Sequence, residues 1–384
     1  MPTPPRYGAA SVAELVPDLV ASLTGRPTTT PVALPEATRG VVLLVIDGLG
    51  RHLLDHHAEV APFLTAASGV TLDAPFPTTT ATSLATIGTG RPPGEHGLTG
   101  YSFAVPGHDR RLVALTWSWD RQDLDIDARL DVVPEGFQPA PTAFERAAEA
   151  GVTPVTVLRP EFTTSGLTRA ALRGGEVVPA ADLDTTLAAA VAAADRPGRT
   201  LVYAHHGDLD TWGHLTGPGS DRWCDELARI DAALARVAAD LPAGVAVLVT
   251  ADHGMVAVGD DGFVELADLP ELARGVRLLT GDARARQLHV RPGARDEVVA
   301  AWREHVGDRA HVLTGEEAVA AGWFGPVVTD TARTTIGDVV VSAVAHDVAW
   351  VHRDVDPFGG RLPGLHGALT DVEREVPALV LTRG

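Results

Sequence analysis

VVLLVIDGLG, residues 41–50, decides the fold. Its first six residues are continuously apolar, largely β-branched and too few for a helix, which is the pattern of a strand buried on both faces. Runs of the same kind recur at 152–157, 200–204 and 245–250. The stretches between them read as helices. Thr142 and Glu145 form a capping-box pattern at the start of FERAAEA. Trp223, Leu227, Ile230, Leu234 and Val237 fall on one helical face between 220 and 241. The alanine-rich stretch near 188–194 favours helix over linker. Strands alternating with helices predict a mainly parallel, helix-covered sheet, with ligands beyond the carboxyl ends of its strands.

After residue 256 the rhythm changes. Residues 284–320 read as a small strand–helix–strand unit. This predicts an inserted α+β cap over 256–330 within a catalytic α/β domain made of 1–255 and 331–384. The strand-like runs at 338–343 and 377–382 are expected to rejoin the main sheet.

The chain has 384 residues, 45% of them hydrophobic, with 31 Lys and Arg against 50 Asp and Glu, a net charge of −19. A surface for a nucleic-acid duplex or an anionic membrane needs basic patches, which this balance opposes. An acidic chain that binds an anionic phosphate needs a local positive centre, and metal ions supply one. A single cysteine, Cys224, excludes an internal disulfide and a thiolate zinc site. No signal pattern and no membrane-length apolar run are found, so the cytoplasm is the expected compartment.

Five features carry chemistry. Asp47 follows the 41–46 run and precedes Gly48; an acid opening a turn explains it equally well. FPTTTATSLATIGTGRPPGEHGLTGY, residues 76–101, places four hydroxyls within 78–82, ahead of a mildly apolar segment. A hydroxyl at a loop-to-helix junction sits in the positive field of a helix N-terminus, suiting a nucleophile; the competing role is helix capping. Asp210 and His214, four apart, share one helical face as metal ligands or as an ordinary surface pair. Asp252 and His253 follow the 245–250 run, with Gly254 permitting a turn. His366 stands in PGLHGAL. Together these supply three carboxylates and three imidazoles, enough for two metals with three protein ligands each. Such a pair, roughly 3.5–4 Å apart, is the recurring clamp for displacement at phosphorus.

The stretches VVLLVIDGLG, FPTTTATSLATIGTGRPPGEHGL, DLDTWGH, TADHGM and GLHG, in this order, resemble the alkaline phosphatase superfamily and, within it, the type I nucleotide pyrophosphatase/phosphodiesterase branch. The resemblance runs from residue 41 to 367 and omits the cap. It implies a three-layer α/β/α sandwich and a two-zinc site, with manganese or iron as substitutes. It implies Thr80 as nucleophile. Asp47, Asp252 and His253 would hold the zinc that also binds the Thr80 oxygen, and Asp210, His214 and His366 the second. The implied reaction is hydrolysis of a small-molecule phosphodiester or nucleotide pyrophosphate through a phosphothreonine. Two positions depart from the nucleotide-cleaving pattern. Tyr101 stands where an asparagine would bind a phosphoryl oxygen, and Ala81 where an aromatic ring would meet a base. Trp212, Trp117 or Trp119 could supply a stacking face, and His205 and His206 could line the pocket. His96 reads as structural and the His52, His56, His57 group as exposed. No Arg adjoins Thr80, which favours diesters over monoester dianions. A phosphomonoesterase and a phosphonate hydrolase remain alternatives on the same site, and a metal-binding pseudoenzyme a remote one. No formylglycine motif surrounds Thr80, which excludes a sulfatase.

Overall fold

In this computed structural model, which describes residues 3–120, 126–356 and 360–383, the 41–46 run forms β1 (Gly40–Ile46), buried at every position. Neighbouring residues of a strand point to opposite faces, so burial throughout means that the sheet is covered on both. Labelled along the chain, six more strands complete the sheet: β2 (Gly69–Asp73), β3 (Thr153–Leu158), β4 (Glu176–Pro179), β5 (Thr200–His206), β6 (Val245–Thr250) and β7 (Glu375–Leu381). Their order is β2-β7-β6-β1-β5-β3-β4. All neighbours are parallel except β7, which runs antiparallel to β6 and β2. This is the expected α/β fold with a mainly parallel central sheet.

The helices follow their sequence signals. Thr142 and Glu145 make a complete capping box. The helix Asp221–Ala239 buries Trp223, Leu227, Ile230 and Leu234. The alanine-rich stretch lies inside the helix Leu183–Ala194. No helix among the described residues is long and apolar enough to cross a membrane.

One expectation is corrected. The run at 338–343 does not rejoin the main sheet. Val339–Ala343 pairs antiparallel with Ala285–Val290 and Ala310–Thr314, inside a separate four-stranded sheet that also includes Val276–Asp282. The cap sheet thus draws a strand from beyond residue 330. The cause is that VVVSA is buried at all five positions, so it carries the same continuous apolar pattern as a main-sheet strand. The run at 377–382 does return, within β7.

A buried ion pair ties the two sheets together. Arg284, in the turn between two cap strands, donates to both carboxylate oxygens of Glu373, at 2.8 and 2.9 Å. Both side chains are fully buried. Arg284 also donates to the carbonyls of Val348 and Ala345, and Glu373 accepts from the Ala368 amide and the Thr370 hydroxyl. Removing one partner leaves an uncompensated charge in the interior. Glu373→Ala should therefore lower unfolding free energy by about 3–5 kcal/mol in urea titration, far beyond a surface substitution.

Candidate metal centre

The carboxyl edge of the three central strands gathers the predicted side chains. Asp47 directly follows β1, and Asp252 lies two residues after β6. β5 leads through Gly207 into helix α1, Asp208–Thr216, whose first and second turns carry Asp210 and His214. Gly48 has φ +77°, and a Cβ there would stand 3.1 Å from the Asp210 side chain. The turn after β1 therefore needs glycine for its backbone and for the approach of Asp210. Gly254 serves a different need from the expected turn. Its φ is not positive, but a Cβ would come within 2.0 Å of the Val372 carbonyl, so glycine is required by crowding.

The three consecutive threonines divide their work. Thr78 accepts the Gly367 amide on its hydroxyl and donates to the Ala368 carbonyl, while its own carbonyl meets His366 Nδ1 at 2.8 Å. Thr79 is the N-cap of helix α2, Thr80–Thr89, but makes no side-chain capping bond. Thr80 opens that helix, with Oγ1 3.2 Å from His253 Nε2. The hydroxyl thus faces the acidic and histidine cluster.

The remaining distances define that cluster. His253 Nε2 lies 3.5 Å from carboxylate oxygens of both Asp47 and Asp252. His214 Nε2 lies 3.4 Å from Asp210 and 3.2 Å from His366 Nε2, and His366 lies 3.9 Å from Asp210. Two overlapping groups could each hold a cation: Asp47, Asp252 and His253, and Asp210, His253 and His366.

The donor set fits cations. Asp47 Oδ1, Asp210 Oδ1 and Asp252 Oδ2 are buried and lack any hydrogen-bond partner. Desolvation, then the charges of Asp252 and Asp210, holds the Asp47 carboxyl well above its ordinary range. Each imidazole meets a backbone carbonyl through Nδ1: His253 with Gly254, His214 with Gly364, His366 with Thr78. Those bonds place the proton on Nδ1 and leave the Nε2 lone pairs pointing into the cluster. Burial, with His253 and His214 alongside, keeps His366 well below its ordinary pKa, hence neutral. Lone pairs facing one another at 3.2 Å beside orphaned carboxylate oxygens are satisfied by positive charge between them.

A third acidic group, His206, Asp208 and Glu226, differs. Glu226 already accepts from His206 at 2.6 Å and from Arg229, and Asp208 pairs with Arg159. Its charges are matched within the protein, so it acts as an ion-pair network beneath α1.

The other predicted residues scatter. Tyr101 lines a cavity of about 370 Å³ together with Thr79, Thr80, Asp210, His214 and His366. His205 lines a second cavity with Asp47 and Thr80, its Nε2 3.2 Å from Asp47, and burial lowers its pKa to about 4. Ala81 is fully buried in the main core and lines neither cavity. Trp212, two residues from Asp210 on a helix, turns away from that face; it packs on the core, with Arg222 over its ring. Trp117 and Trp119 are buried, their indoles donating to Val132 and Asp131. His96 is buried against Thr86, with its pKa lowered to about 3 by burial. His52 and His56 are exposed, whereas His57 packs beside Trp223.

Sequence reasoning missed Asp282. It ends the cap strand Val276–Asp282 and lines the Tyr101 cavity. Nothing local marks it, because a cap hairpin reads as surface. Desolvation raises its pKa to about 6, offset in part by hydrogen bonds from the Tyr101 amide and Thr79 and by Arg286.

A mainly parallel sheet whose carboxyl edge collects aspartates and histidines, in groups that could hold metal ions, around a helix-opening hydroxyl is the arrangement of a hydrolase of the alkaline phosphatase superfamily. Residues 41–368 match the model of the type I phosphodiesterase/nucleotide pyrophosphatase family, and the chain belongs to that family of phosphoric ester hydrolases. Among solved structures, murine ectonucleotide pyrophosphatase/phosphodiesterase 5 is 17% identical, with TM-score 0.65 over 88% of this chain and 87% of that one. Phosphonoacetate hydrolase from Sinorhizobium meliloti 1021 is 19% identical, with TM-score 0.66 over 91% of each chain. No curated protein matches.

Asp282 makes a pH-dependent contribution of defined sign. Its folded pKa exceeds the unfolded value, so the folded state loses relative stability as pH rises from about 4 to about 6, the value its shift reaches. Asp282→Asn should gain stability relative to the parent across that window, by roughly 1–3 kcal/mol at pH 7 and nothing near pH 3.5. A difference that stays flat with pH in urea titrations contradicts this assignment.

Proposed function

We propose that this protein hydrolyses phosphodiester or nucleotide pyrophosphate bonds, with Thr80 as the covalent nucleophile at a two-cation centre. The observation that carries the proposal is the placement of the Thr80 hydroxyl, 3.2 Å from His253, beside buried carboxylate oxygens with no partner. Asp47, Asp252 and His253 would hold one cation next to Thr80, and Asp210, His214 and His366 the other. Mixed Asp and His ligands suit zinc, with manganese or iron as substitutes. Cations bound there would favour loss of the Thr80 proton and neutralise charge on the phosphoryl oxygens.

Thr80 then does the chemistry. Its oxygen attacks phosphorus, and the bond from phosphorus to the departing alcohol breaks on the opposite side. Water next attacks the phosphothreonine, releasing the phosphomonoester and restoring the hydroxyl. Thr80 opens α2, and helix N-terminal amides favour the anionic phosphoryl group. The murine relative has been solved as an inactive threonine-to-alanine form with AMP, which agrees with a threonine of this kind being essential.

Two cavities meet at Thr80 and Asp210, room for the two substituents of a diester. Among the described residues that line them, Arg159 is the one arginine, and it pairs with Asp208. Among those described residues, then, no side-chain cation is set aside for the extra charge of a monoester. The likeness to phosphonoacetate hydrolase supports carbon–phosphorus cleavage as a second reading. The carboxyl of Asp282 beside the Tyr101 cavity opposes a carboxylate-bearing substrate there.

Thr80→Ala should reduce kcat on bis(p-nitrophenyl) phosphate by roughly 10³-fold or more while metal content, by mass spectrometry, stays at the parental level. Full activity in that variant with its metal intact contradicts Thr80 as the nucleophile.

A further inference from the structure

Helix α1 carries two of the candidate cation ligands, Asp210 and His214, on a narrow apolar footing. Of its nine residues only Leu209 and Gly213 are buried, and Gly207 opens it without a side-chain capping bond. A helix this short is marginal alone and depends on tertiary anchors. One anchor lies in its second turn, where His214 Nδ1 meets the Gly364 carbonyl at 2.7 Å. The other lies at its first residue. There Asp208 accepts from Arg159, which stands one residue beyond β3, the strand beside β5.

This second anchor works against a specific force. Asp208 and Asp210 place two negative charges at the start of α1. The charges of Asp210 and Asp252 both act on Asp47, and repulsion among these carboxylates pushes α1 away from the sheet edge. Asp210 Oδ1 is buried with no partner, which leaves the helix backbone to aim it. Arg229 is committed elsewhere. It donates to both oxygens of Glu226, at 2.9 and 3.0 Å, and stays 3.9 Å from Asp208. Arg159 is therefore the arginine that holds the first turn.

We propose that Arg159 and Asp208 are positioning residues for the second cation: their ion pair fixes the start of α1 so that Asp210 and His214 stand against His366. The inference rests on the two-cation reading and deepens it. Neither residue belongs to the two groups of candidate ligands around Thr80. Both side chains are 32% exposed, so as an ordinary surface pair they would add little to folding. Their effect is expected instead in metal affinity, because groups that orient ligands tune the site those ligands form.

Zinc binding by the full chain, stripped of metal and titrated in competition with a chromophoric chelator, tests this. The parent should show two binding events, and Asp210→Asn marks the one belonging to the second cation by weakening it. Arg159→Met keeps the aliphatic stem and removes the charge, and Asp208→Asn keeps the shape. Each should raise the zinc Kd of that same event roughly 10–100-fold while the other event stays within about threefold. The double variant should be no weaker than the weaker single one, since each substitution breaks the same pair. Urea unfolding of the metal-free variants should follow the parent. Unchanged Kd values, equal weakening of both events, losses that add in the double variant, or metal-free variants that unfold at clearly lower urea overturn the inference and leave the two-cation reading standing. A parent chain that binds no zinc overturns both.

Discussion

The structure depends on a concentration of negative charge that the protein itself does not neutralise. Asp47, Asp210 and Asp252 converge at the carboxyl edge of the sheet, each with one buried oxygen lacking a partner. Two like charges about 4 Å apart repel by roughly 4 kcal/mol at an effective dielectric of 20. Three imidazoles aim Nε2 into the same space, their Nδ1 atoms held by backbone carbonyls. Such an arrangement persists where the surrounding structure over-determines it, and it is one that a bound cation would complete. The network of His206, Glu226, Asp208, Arg159 and Arg229 a few residues away shows the contrast, because there arginines close the balance.

Much of the fold serves to hold that cluster. Parallel neighbours β6, β1 and β5 bring three chain turns to one edge. Gly48 and Gly254 leave room for Asp210 and for the segment at Val372. Thr78 fastens the segment that leads into Thr80 to the loop of His366, some 290 residues away. The Arg284–Glu373 pair then fixes the cap against that second loop, since Glu373 also accepts the Ala368 amide. The cap is thereby positioned by the same elements that position His366, and Asp282 and Tyr101 face the site as a consequence.

The main sheet and the cluster were legible in the sequence for a physical reason. Strands buried on both faces must be continuously apolar, and their ends must turn, so Asp47 and Asp252 stand out immediately beyond such runs. The 338–343 run misled because burial in the cap sheet imposes the same pattern as burial in the main one. Pocket residues were less visible. Asp282 belongs to a cap hairpin, and the leucines of the second cavity look like any core leucines. The sequence also pointed to Trp212 as a stacking face, but helical geometry sends it away from Asp210 and His214. Ala81, where the resemblance would place an aromatic ring in nucleotide-cleaving members, is sealed in the core.

The central claim is that two cations complete this cluster beside Thr80. The most direct measurement is anomalous diffraction at the zinc absorption edge from crystals of the zinc-loaded protein. The account predicts two anomalous peaks, one among Asp47, Asp252 and His253 and adjoining the Thr80 oxygen, the other among Asp210, His214 and His366. Well-diffracting crystals of zinc-saturated protein with no peak in the cluster, or with a single peak remote from Thr80, would contradict it.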